Sequence, residues 1–135
     1  MLVGEIHYKS LVDSAFNSQA VSTDTTTAGN IIDTMTFEAL EFIFQSGTIT
    51  DGTYTVSLEE GDDAALADAA AVSADETLGS ISFVAADDNT AKRIGYIGKK
   101  RYVRASVVST GTSTGGTLAG SVIRVFPMHQ PTPNQ

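Results

Sequence analysis

The chain has 135 residues and a mass of 14.1 kDa, which leaves room for one domain, since globular domains cluster near roughly 100–150 residues. Hydrophobic residues make up 41% and mean hydropathy is +0.03; no apolar run approaches the ~20 residues of a membrane-crossing helix, so no membrane partner is expected. There are 16 acidic residues, 8 basic residues and no cysteine, which excludes disulfides, thiolate zinc sites, iron–sulfur clusters and a cysteine nucleophile.

Along the chain, 17 Thr, 13 Ser and 12 Gly are spread between short apolar runs, a composition that suits pleated strands and tight turns. Glu5, Lys9 and Asp13 interrupt the opening residues, so no export leader is expected there. Strands are predicted around Gly4–Tyr8 and Ser10–Phe16, and the polar run to Asn30 reads as a loop or extended arm. Ile31–Thr36 is predicted to form a short strand. Ala39–Phe44 is apolar at nearly every position, which predicts a central strand covered on both faces. An Asp51-Gly52 turn then leads into a strand with Tyr54, Val56 and Leu58 on one side and Thr53, Thr55, Ser57 and Glu59 on the other.

The acidic, alanine-rich stretch after Glu60 predicts a short helical or looped surface segment near 62–72. From residue 79 the strand pattern returns in SISFVA, AKRIGYI, RYVRASVV and TLAGSVIRVF. Seven or eight short strands without crossover helices predict an all-β domain, an antiparallel sandwich or barrel in which a jelly roll is one arrangement. The predicted organisation is an N-terminal strand or arm over 1–30, a core over 31–126 and a Pro-rich tail over 127–135. All belong to one domain, with the two ends as extended arms.

Charge is segregated along the chain. Residues 1–88 carry about −15 and residues 89–135 +7, within a total of −8. Either the basic part forms an interaction surface, or strands from the two halves interleave and neutralise each other. So acidic a chain is a poor nucleic-acid binder, and nucleic acid is not an expected partner.

Chemistry-bearing motifs are scarce. His7 and His129 lack the neighbours of a metal set, and no G-x-S-x-G elbow surrounds a serine. GYIGKKR lacks P-loop spacing, and the pairs Glu59–Glu60, Asp62–Asp63 and Asp87–Asp88 lack the D-x-[DN]-x-[DN]-G loop of a calcium site. No enzyme activity, cofactor or metal is expected. The candidate contact residues are Lys92, Arg93, Lys99, Lys100, Arg101 and Arg104 with Tyr102, because Arg and Tyr dominate interface energetics. A second contact is expected on the acidic segment with Glu59, Glu60, Asp62 and Asp63.

Three stretches, IID…F..LEF…SGT, LEEGDD and GYIGKKRYVR, carry a resemblance. Over roughly residues 28–125 the sequence resembles a family of small virion structural proteins encoded near the capsid genes of tailed bacteriophages and prophages. The resemblance implies a β-rich head decoration, or cement, protein on the capsid surface, made in the host bacterial cytoplasm. Its partners would be the major capsid protein and copies of itself, as a trimer or another homo-oligomer. No catalytic residues come with the family. A connector, stopper or tail-tube component and a host-surface carbohydrate-binding module are the alternatives.

Overall fold

The computed structural model describes residues 4–125. The proline-bearing tail 127–135, with His129, lies outside the described residues. A single helical turn, α1 (Glu5–Tyr8), precedes ten strands: β1 (Ser10–Val21), β2 (Thr26–Asp33), β3 (Ala39–Ile49), β4 (Thr53–Gly61), β5 (Ala70–Ala71), β6 (Thr77–Leu78), β7 (Ile81–Phe83), β8 (Ala91–Tyr96), β9 (Tyr102–Thr110) and β10 (Gly116–Val125). One sheet has the order β1-β10-β3-β8-β6; the other runs β2-β9-β4-β5, with β7 also on β4. All the pairings are antiparallel, and the sheets form a sandwich that does not close into a barrel.

Alternation builds the core. Tyr54, Val56 and Leu58 of β4 and Val103, Ala105 and Val107 of β9 all point inward and are at most 6% exposed. They meet Phe16, Leu40, Phe42, Phe44 and Val122 from the facing sheet and Phe83 from β7 beside β4, and each buried aliphatic or aromatic side chain contributes about 1.5–3 kcal/mol. Phe16 and Phe44 pack with ring centroids 5.8 Å apart and planes tilted by 44°, an inclined arrangement that avoids the unfavourable face-to-face sandwich.

Three expectations are corrected. The polar run up to Asn30 is mostly strand and not a loop or arm: β1 continues to Val21 and pairs with β10, and β2 begins at Thr26 and pairs with β9. The Gly4–Tyr8 segment is a helical turn, with Tyr8 N donating to the Gly4 carbonyl and Lys9 paired to Glu5 at 2.6 Å, the i,i+4 spacing that favours helix. The β3 strand is central, but only its inner face is fully covered. Leu40, Phe42 and Phe44 are buried, whereas Ala39, Glu41 and Ile43 keep part of their surface in water. The segment near 62–72 is a loop over 62–69, closed by Asp68, whose carboxylate accepts from the amides of Asp62 and Asp63, and ends in the two-residue strand β5.

The connections sort to two ends. Loops 22–25, 50–52, 84–90 and 111–115 gather at one, which is clasped by acidic side chains. The Asp51 carboxylate accepts from the amides of Ser113, Thr114 and Gly115, and the Tyr54 hydroxyl donates to the carbonyls of Val21 and Asp51. Loops 34–38, 61–69 and 97–101 form the other end, beside α1.

Candidate functional site

Antiparallel pairing of β4 with β9 sets Glu59 directly opposite Arg104 on the outer face, the closest approach two cross-strand side chains have. Arg104 Nη2 donates to Glu59 Oε2 at 2.7 Å. One loop further, the Arg101 guanidinium forks onto both oxygens of Asp33, at 3.0 Å each, and lies 5.0 Å over the Tyr102 ring. This bidentate grip holds the Asp33 carboxyl below its ordinary range and raises the guanidinium's affinity for its proton. Lys100 Nζ reaches Asp62 at 2.6 Å, which raises the ammonium in the same way.

Tyr96 ties these elements together. Its ring is 2% exposed; its hydroxyl donates to Glu60 Oε2 at 2.6 Å and accepts from Lys100 N at 3.1 Å. Burial, reinforced by Glu60, pushes the phenol above its ordinary range, so it stays a donor. On the first sheet Lys92 pairs with Asp87 at 3.3 Å and donates to the Ser82 carbonyl, while Arg93 sits 3.5 Å from Glu41. Arg124, bonded to Asp13, stacks 4.7 Å over Phe37.

Of the basic and acidic candidates, expected as two separate contacts, Lys100 and Arg104 are thus paired with Asp62 and Glu59 within the chain, while Lys92, Arg93 and Arg101 pair with Asp87, Glu41 and Asp33. Of the basic residues, all of them among the described residues, Lys99 alone makes no ion pair. The paired acids are similarly engaged: Asp63 accepts from the amides of Ala65 and Ala67, Asp87 from Val84 and Asp88 from Ile49. Among the described residues no group of three or more His, Cys, Asp or Glu is placed to hold a metal ion, and no helix is long and apolar enough to cross a membrane.

Sequence reasoning passed over the exposed apolar side chains. Among the described residues eight large ones stand out, namely Ile6, Tyr8, Val12, Ile31, Met35, Leu78, Val84 and Ile97. Only Val84 lies toward the clasped end; the other seven belong to α1, to the adjoining ends of β1, β2 and β6, or to loops 34–38 and 97–101. Their only signal in the sequence is an apolar residue standing alone in a polar loop, such as Met35 between Thr34 and Thr36.

No protein-family model matches the chain, and no curated protein sequence matches it. Among solved structures it is similar to the SPBc2 prophage-derived protein YomS, at 18% identity over 84% of this chain and 92% of that one with a TM-score of 0.48. It is also similar to a chain of the Bacillus endospore appendages, described as disulfide-linked pili, at 9% identity over 87% and 89% with a TM-score of 0.49. A third likeness is to a chain of infectious bursal disease virus, Gx strain, at 14% identity over 91% of this chain and 33% of that one with a TM-score of 0.43. These are likenesses of fold.

Proposed function

We propose that the chain is a structural protein of a tailed-phage virion, a head decoration or cement protein that attaches to the outside of the shell by protein–protein contacts. The observation that carries this reading is the sidedness of its exposed apolar surface: among the described residues, seven of the eight large apolar side chains in water lie at or near one end of the sandwich. Apolar residues scattered singly need no explanation, but a set gathered on one side and rimmed by charge has the composition of an interface. The clasped end, built from Thr, Ser, Asp and Gly, then faces solvent. A two-sheet scaffold locked by ion pairs loses little freedom on attachment, which favours binding. The resemblance over residues 28–125 supplies the particle.

Quantifying the chain in purified virions tests the assignment. Copies in proportion to the shell subunits support it. Absence from particles, or a single ring's worth at the head–tail junction, refutes it. Ile6→Asp with Leu78→Asp is expected to lower occupancy while leaving the unfolding temperature of the free chain unchanged.

A further inference from the structure

Loops 34–38 and 97–101 meet across a depression of about 300 Å3 lined by Thr34, Phe37, Glu38, Leu40, Tyr96 and Lys99, among others. Its other ionisable groups are engaged, Lys100 with Asp62 and Tyr96 with Glu60. Glu38 and Lys99 are both exposed and make neither an ion pair nor a side-chain hydrogen bond. The depression therefore offers one unspent charge of each sign. The same two loops carry Met35 and Ile97, which are 57% and 49% exposed. Thr36, next to Met35, has a φ of +72°, a left-handed conformation that a β-branched residue adopts only under strain. The loop is held in it by bonds on both sides: Met35 N to Asp33 Oδ1, Thr34 N to the Arg101 carbonyl and Glu38 N to the Val125 carbonyl.

We propose that this depression seats against the same depression of a second copy of the chain across a two-fold axis, with Lys99 of each copy meeting Glu38 of the other. Charge complementarity chooses the partner. A surface that carries both signs in one place is complementary to itself, whereas a ring with more members would need two separate patches. The rest of the surface is acidic, with a net charge of −8, and repels a like copy, so the approach of two chains is favoured where the free cation lies. Met35 and Ile97 leave water in the contact, while Ile6, Tyr8 and Leu78 remain for the shell. The contact is a property of the isolated chain, so its failure leaves the virion reading standing.

Sedimentation of the full-length chain over a range of concentrations tests it. The wild type is expected to form a dimer, and Lys99→Glu and Glu38→Lys are each expected to weaken it about ten-fold through paired like charges. Combining the two exchanges the signs and is expected to restore the dimer. Both side chains are exposed and neither makes an ion pair or a side-chain hydrogen bond within its own chain, so all three variants are expected to keep the wild-type unfolding temperature. A monomer at every concentration, a trimer, or a double variant no tighter than the single ones overturns the proposal.

Discussion

Tyr96→Phe tests the hydrogen-bonded junction beneath loop 97–101. The substitution keeps the buried ring and removes one oxygen, which donates to the Glu60 carboxylate at 2.6 Å and accepts from Lys100 N at 3.1 Å. A hydrogen bond to a charged group is worth about 1.5–3 kcal/mol, and an amide left without its acceptor adds to the loss. Lys100 is exposed enough for water to recover part of that, so the total is about 2 kcal/mol. Unfolding entropy of about 2.1 cal/mol/K per residue, taken over the 135 residues, converts 2 kcal/mol to a fall in Tm of about 7 °C. Calorimetry measures the fall, and a double-mutant cycle with Glu60→Gln isolates the coupling. A Tm lowered by less than about 2 °C, or strictly additive losses, would show that the hydroxyl does not hold the loop.

Gly29→Ala is expected to lower stability by about 1–3 kcal/mol, measured by denaturant unfolding, because the new Cβ would lie 2.3 Å from the carbonyl oxygens of both Ala15 and Ala105. Gly111→Ala, with open space but a φ of +66°, is expected to cost only about 1–2 kcal/mol. Thr36→Asn relieves a left-handed β-branched residue and is expected to add about 1 kcal/mol. The amides of Gly115 and Thr114, with the Ser113 hydroxyl, hold the Asp51 carboxyl at about 2 against the ordinary 3.8. A depressed folded value gives stability that is complete above the unfolded value and is lost as pH falls from 3.8 toward 2. Amide exchange at residues 113–115 is therefore expected to accelerate over that window, and Asp51→Asn to abolish the pH dependence.

Strand periodicity was legible wherever one strand runs without interruption. The inward and outward sets of β4 and β9 follow directly from Tyr54–Glu59 and Tyr102–Val108, except that outward Ser106 is 1% exposed, being small and flanked on both sides by Ala28 and Ser57. The start of β1 and the end of β2 were legible, but the residues between Phe16 and Ile31 were not, because register shifts between Ser14 and Phe16, Phe16 and Gln19, and Ala28 and Ile31 break the period of two. A bulge places an extra residue on one strand and moves all that follow to the other face. The candidate site was half legible. Composition marked Lys92–Arg104 and Glu59–Asp63 as opposite charges, but whether they face neighbours or each other depends on which strands pair, and Glu59 is 45 residues from Arg104. The lone exposed Met35 and Ile97 carried no periodic signal.

The segregation of charge along the chain acquires a different meaning once the pairs are known. Exposed ion pairs contribute only about 0–1 kcal/mol each, so six of them from Lys92 onward do little for stability taken singly. Their effect on pairing is larger. The acids of β1, β2, β3 and β4 find their cations on β8, β9, β10 or the 97–101 loop, and β10 and β9 are the strands that β1, β2, β3 and β4 adjoin. A misfolded sheet that paired the acidic strands with one another would bring carboxylates together with no cation near, and directly opposed like charges are destabilising. Placing nearly all the cations in the last strands therefore selects the long-range pairings, β4 with β9 and β1 with β10, over the local hairpins that form sooner. Lys99, the one basic residue among those described without an ion pair, and Glu38 across the same depression stand outside this selection and are free to choose a partner outside the chain.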